Sequence, residues 1–199
     1  MRKRTPGRPK VAEDGVNVKE QIITVSSRLF MERGYSAVSL QHIASASGVT
    51  KASVYYYYEN KANLFTAAIV RMMGNIHMYT TRLLRQEGSL NERLTRVAQA
   101  YLQTSHVDFE SLMKEAAPEL SETQMAAMRE AETAVHILLQ DTFSLAMEQG
   151  EIRRGNPMFM SVAFYSLMKI GQRAATPALF ASREEAAREI VAFFWNGVS

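Results

Sequence analysis

Apolar residues recur along this chain at steps of three and four, broken by small and polar residues that start or stop helices. The first such run begins at Val18. Ile22, Val25, Leu29 and Phe30 share one face with the small Ser26, and Gly34 follows where a glycine C-cap is expected. A short segment from Ser39 to Ala46 comes next, with Ser39 as N-cap, and Gly48 ends it. Thr50 is a second N-cap, opening Lys51 to Tyr58. Asn60 is a third, opening a longer helix through Leu64, Phe65, Ile69 and Met72. Gly74 bends or interrupts that helix; the pattern leaves both outcomes open. Residues 1–17 carry Pro6, Gly7, Pro9 and Gly15 with no periodicity, which predicts a flexible arm.

The punctuation continues to the C-terminus. Ser89 with Glu92, Ser121 with Gln124 and Ser182 with Glu185 each fit the capping box, in which a side chain and a backbone N–H satisfy one another across three residues. These signals predict a helix from about Ser89 to Thr104, a short one over 109–116 ended by Pro118, and a long one from Ser121 to Gln149. Asn156-Pro157 opens another, as an N-cap followed by proline at the first helical position. A last helix runs from Ser182 to about Trp195. No stretch alternates as a strand would. The chain reads as all-α, about nine helices, with an arm over 1–17, one domain over 18–65 and a second over 66–199.

Composition narrows the chemistry. With 47% apolar residues in 199, the chain has ample material for a packed core. It has no cysteine, which removes disulfides, thiolate metal sites, cysteine nucleophiles and thiol redox sensing, and suits a reducing compartment. No apolar run approaches the roughly 18 residues a membrane span needs. The longest, Pro157 to Met168, contains Ser161 and Ser166, and the basic N-terminus is not followed by a signal-peptide stretch. A cytoplasmic location away from the membrane is expected.

Charge is distributed unevenly. Residues 1–61 hold ten Lys/Arg against five Asp/Glu, whereas the remainder holds thirteen against fifteen. Arg2, Lys3, Arg4, Arg8 and Lys10 sit in the first ten residues with no acid among them. Such a split suits an N-terminal third that meets a polyanion, although a solvated basic tail explains the charge equally well. The layout decides between them. A long helix followed by two short ones across a glycine turn is the arrangement of a helix-turn-helix DNA reader. The first turn of the second short helix carries Thr50, Lys51, Ala52 and Ser53, small or flexible residues able to approach base edges. Tyr55 and Tyr56 can give hydroxyls to phosphates, while Val54 and Tyr58 face the helix behind. Lys61 opens the next helix, where a cation opposes the helix dipole; a DNA phosphate nearby would explain it.

The stretch IITVSSRLFMERGYSAVSLQHIASASGVTKASVYYYYENKANLF, residues 22–65, resembles the DNA-binding domain of TetR-like (tetracycline-repressor-like) transcriptional regulators. The resemblance rests on Phe30 with Gly34-Tyr35, on Ile43-Ala44, on Gly48-Val49-Thr50-Lys51, and on the tyrosine run leading through Asn60-Lys61 to Leu64. Tyr56 stands where the family commonly has histidine, Tyr58 where phenylalanine is usual, and Val38 replaces a frequent threonine. The resemblance implies a homodimer on a palindromic operator in double-stranded DNA, and a helical effector-binding and dimerisation domain. It also implies repression relieved by a small molecule. Carried over by position, Thr50, Lys51, Ser53, Tyr55, Tyr56 and Lys61 would contact DNA, with Ser39 and Gln41 as further candidates. The Gly7-Arg8-Pro9 core of the arm resembles an AT-hook segment, which lays arginine in a narrow minor groove, so Arg8 joins the DNA-binding set.

The C-terminal domain offers fewer signals. The helix beginning at Pro157 is apolar nearly all round and the final helix ends in an aromatic cluster, so both need burial on more than one side. A second subunit would supply it, and the resemblance places the interface on these two helices; Phe164, Met168, Ile190 and Phe194 are the residues expected there. Twelve methionines suggest an adaptable pocket for a mainly apolar or amphipathic effector. Met113, Met125 and Met128, with Tyr101, His106, His136 and Gln140 as polar partners, are its candidate wall. The helix from Lys61 joins the reading helix to this domain and is placed to transmit a ligand's effect. The four histidines show no metal-ligand spacing, and neither a phosphate-cradling glycine loop nor a nucleophile elbow is present. No enzyme, cofactor or metal is expected. A DNA-binding regulator or activator without a small-molecule effector, acting through protein partners or DNA architecture, is the alternative.

Overall fold

Helix boundaries fall where side chains satisfy free backbone groups in the computed structural model, which describes residues 11–103, 109–171 and 179–199, with the backbone alone for 11–17. Among these residues there are nine α-helices and no strand. They are α1 (Val11–Arg33), α2 (Leu40–Ala46), α3 (Lys51–Tyr58), α4 (Lys61–Leu84), α5 (Leu90–Gln103), α6 (Phe109–Ala116), α7 (Glu122–Glu148), α8 (Pro157–Gly171) and α9 (Arg183–Asn196). Ser39, Thr50 and Asn60 cap α2, α3 and α4, each accepting a backbone N–H three residues on. At Ser121 both halves of the capping box form. Ser89 and Glu92 also reciprocate. At Ser182 the hydroxyl caps Glu185 N–H, but the Glu185 carboxylate accepts from Ala181 N–H instead of Ser182.

Two departures from the sequence pattern stand out. Helix α1 starts at Val11 and so takes in the second part of the expected arm. No apolar stripe marks that part, but Glu13 and Asp14 fall near the first turn, where acids suit the helix dipole. Helix α4 runs unbroken through Gly74, around which space is open.

The interior forms two apolar clusters. The first joins α1, α2, α3 and the first half of α4 to α6 and the start of α7. Phe65 centres it, with ring centroids 5.0 Å from Phe30 and 4.9 Å from Tyr35, both edge-on. The second joins the end of α4 to α5, the later part of α7, α8 and α9. There Phe194 packs 5.5 Å from Phe143 and 5.1 Å from Phe164.

This second core includes the four residues expected at the interface. Phe164, Met168, Ile190 and Phe194 are all buried within the single chain, at 0 to 6% exposure. The reason is geometric: α8 is apolar on both sides, and these positions are on its inner side and the inner side of α9. The outward positions are Phe159, Val162 and Ile170 on α8 and Phe193 on α9.

Candidate functional site

Helix α3 is held by its inner face and bare on its outer one. Val54 is fully buried, and Tyr58 donates its hydroxyl to the Lys19 carbonyl of α1 at 3.2 Å. Burial, with the Glu20 charge adding and Arg71 opposing, pushes the Tyr58 phenol up to about 12, so it stays a neutral structural donor. Facing away are Lys51, Ala52, Tyr55 and Tyr56, and Tyr56 is 82% exposed. The Lys51 ammonium lies 5.6 Å from the Tyr55 ring centroid, a cation–π contact that keeps it on this face.

The other predicted DNA contacts are more constrained. Thr50 Oγ1 accepts from Ser53 N–H at 3.0 Å and is paired with Ser53 Oγ at 2.8 Å, so both hydroxyls are engaged at the helix start. Ser39 Oγ accepts from His42 N–H. Gln41 and His42 are exposed beside it. Arg8 lies outside the described residues.

Lys61 has found a protein partner. Its ammonium sits 4.0 Å from the Tyr35 ring centroid, and its charge helps hold the Glu115 carboxyl below the usual carboxylate range. The larger cause of that lowering is hydrogen bonding at Ser36. Glu115, on α6, accepts from Tyr35 N–H and Ser36 N–H, each at 2.8 Å, while Tyr35 Oη donates to Glu119 at 2.8 Å. Burial first, then the Glu119 hydrogen bond and charge, raises the Tyr35 phenol. Gly34 makes this approach feasible: its φ is +82°, and a Cβ there would lie 2.8 Å from Glu115 Oε2. The turn between α1 and α2 is thus clamped to α6.

A cavity of about 300 Å³ opens between α4, α5, α7 and α8. Tyr101 lines it, as the sequence suggested, and so does Met168. The rest of its wall was not anticipated, above all Met72, Asn75, Ile76, Tyr79, Thr80 and Leu83 of α4. Their steps of three and four mark one helical face, a signal present in the sequence but indistinguishable there from ordinary core. His136 stands just behind this wall. Its ring packs 5.0 Å from the lining Tyr165, and its Nδ1 is 3.3 Å from Ser161 Oγ. Burial, followed by the Lys169 charge, lowers its affinity for protons. Met113 and Met125 face a separate, shallow recess with Glu110 and Arg129; Met128 is inside the first core. Gln140 is half-buried on α7, off the cavity wall. His106 lies outside the described residues. No helix among the described residues is long and apolar enough to cross a membrane, and they contain no cluster of metal-ligating side chains.

A short capped helix, backed by two others and free on a cationic, hydroxyl-bearing face, defines the helix-turn-helix class of DNA-binding proteins. Residues 22–68 match the family described as bacterial regulatory proteins of the tetR family, and over that stretch the chain is similar to them. The transcriptional regulator AcrR of Shigella flexneri is 35% identical over 57 residues, 29% of this chain and 26% of AcrR. The first relatives it matches are spanned over only 26% to 39% of their own length. Among solved structures, reduced NemR of Escherichia coli superposes with a TM-score of 0.76 at 23% identity, covering 92% of this chain and 97% of NemR. FadR of Bacillus subtilis, crystallised with stearoyl-CoA, gives 0.70 at 15% identity, covering 90% and 99%. At such identities the likeness establishes the fold alone.

Proposed function

We propose that this protein is a transcriptional repressor that binds a palindromic operator as a homodimer and leaves it when a small, mainly apolar effector fills the cavity between α4, α5, α7 and α8. The outward face of α3 carries the proposal. Lys51 offers a donor for guanine O6 and N7, Ala52 a methyl for thymine, and Tyr55 and Tyr56 hydroxyls for phosphates. Thr50 and Ser53 sit at the helix N-terminus beside them, and Arg8 in the basic arm adds minor-groove charge. Lys61 contributes through the clamp at Tyr35 as well as through its proximity to DNA.

Support for the dimer comes from outward apolar side chains. Phe159 is 70% and Phe193 72% exposed, with Val162 and Ile170 alongside. A patch of this kind on α8 and α9 is what an isologous interface covers. The effector reading is supported by the cavity and by the precedent of FadR, a protein of the same fold holding an acyl-CoA. Helix α4 lines the cavity at Met72 to Leu83 and begins at the residue that follows the α3–α4 junction, which favours it as the transmitting element.

Selection from fragmented genomic DNA, followed by mobility-shift titration, tests the reading. The selected sites should share a two-fold symmetric sequence. Lys51→Ala should weaken binding to them roughly fivefold to a hundredfold with unchanged thermal stability. Recovered sites without symmetry, or an unchanged affinity in Lys51→Ala, would refute it.

A further inference from the structure

Threonine hydroxyls within these helices either bond back to their own helix or stand on exposed positions, as Thr24, Thr123 and Thr133 do, with Thr80 the exception among the described residues. Thr66, Thr81, Thr95 and Thr142 each donate to the carbonyl four residues earlier, at 2.8 to 2.9 Å. Thr80, only 7% exposed, donates to no such carbonyl, and its hydroxyl is not among the fully enclosed unpartnered polar atoms of the described residues, so it opens onto free space. It lies in the wall of the cavity. A hydroxyl that makes no bond to its own helix and opens on a cavity is available to an occupant, and an occupant that covers it without a hydrogen bond leaves it unpaired at a cost.

The rest of the wall says what such a hydroxyl could meet. None of the thirteen lining residues is acidic or basic; the polar groups beside Thr80 are Asn75 and the tyrosines 79, 101 and 165. The Tyr101 and Tyr165 rings stand edge-on at 5.5 Å and present flat apolar surface to an occupant. A charged group brought into this wall would lose its hydration and find no counter-ion among the lining residues. A hydrocarbon would cover the Thr80 hydroxyl without pairing it. The volume suits a compact ring system more than a long chain.

Resting on the reading of this cavity as the effector site, we infer that its ligand is an uncharged, compact aromatic or alicyclic molecule bearing one hydrogen-bonding group, and that Thr80 Oγ1 anchors that group. Three probes of one shape separate the terms: thymol, p-cymene, which lacks the hydroxyl, and p-isopropylbenzoate, which carries a charge. Calorimetric titration of the full chain should detect thymol and p-cymene and not the benzoate. Thr80→Val, which keeps the shape and removes the hydroxyl, should lower the thymol to p-cymene affinity ratio about three- to tenfold. Thr80→Ser should retain it.

The cavity-filling Ala100→Phe should abolish both interactions. If Ala100→Phe abolishes binding but Thr80→Val leaves the ratio unchanged, the anchor is overturned while the cavity reading survives. If thymol binds Ala100→Phe normally, the effector-site reading fails and this inference with it. Preferential binding of the benzoate, or no binding of either neutral probe to the wild-type chain, overturns the ligand class.

Discussion

Replacing Glu115 with alanine should loosen the DNA-binding domain from the rest of the protein, and the size of the effect follows from what the carboxylate holds. It accepts two backbone N–H groups at 2.8 Å, one from Tyr35 and one from Ser36. Ser36 is exposed, so water replaces the carboxylate there at little cost. The Tyr35 N–H is partly buried, and a hydrogen bond to a charged acceptor in such a place contributes about 1.5–3 kcal/mol. A loss of about 2 kcal/mol is therefore expected near neutral pH, or roughly 4–8 °C in Tm for a chain of this size. The hydrogen bonds at Ser36 and Tyr35 lower the Glu115 pKa below its ordinary 4.5, with Lys61 assisting. A carboxylate so lowered adds stability that is fully present above the unfolded value and is lost as pH falls through the folded one. Urea denaturation of wild type and Glu115→Ala at equal protein concentration, at pH 7, 5 and 3, reads both quantities. The gap should hold from pH 7 to 5 and shrink by pH 3. A gap under about 0.5 kcal/mol at pH 7, or one unchanged at pH 3, would refute the assignment of Glu115 as a charged clamp.

Gly74→Ala should stabilise the chain by about 0.8–1 kcal/mol, because alanine is the better helix former and nothing lies within 4 Å of its added methyl; thermal melting checks this, and a lower Tm would show that α4 needs the glycine. Deleting residues 1–10, which carry five cations and no acid, should weaken operator binding and flatten its dependence on salt. An unchanged slope of affinity against salt would assign the arm no phosphate contact.

Much of the fold was legible because its signals are local. Ser39, Thr50, Asn60 and Ser121 act within three residues of themselves, and every one caps the helix it was expected to cap. The bare face of α3 was legible for the same reason, since period alone separates Val54 and Tyr58 from Lys51, Tyr55 and Tyr56. What depends on distant pairing was not. Lys61 is a helix-opening cation whose partners include Glu115, and the clamp that Glu115 makes with Tyr35 joins positions 80 apart in sequence. Composition pointed to methionine as pocket wall, yet Met113, Met125 and Met128 serve the junction of α6 and α7, while Met72 and Met168 line the cavity. On α8, where both sides are apolar, no periodicity could say whether Phe164 or Phe159 faced inward.

The cores divide the chain differently from its sequence, and that bears on how a ligand could act. Phe109, Leu112, Met113 and Ala116 of α6 belong to the same core as the DNA-binding helices, so α6 is built as part of that body although it lies far along the chain. Among the described residues, only α4 and α7 place buried side chains in both cores: Phe65 and Leu83 on α4, Met128 and Phe143 on α7. The cavity lies where they cross, bounded by Met72 and Ile76 towards the first core and by Val97, Leu139 and Met168 towards the second. Packed cores resist compression and move as units. In the proposed function a molecule wedged at that crossing acts on two rigid bodies hinged by α4 and α7, and the Glu115 clamp carries α6 along with α1, α2 and α3. Loosening the clamp should then uncouple effector from operator while both sites remain intact. Glu115→Ala would still bind operator and effector separately, but the effector would shift its DNA affinity less than it shifts that of the wild type.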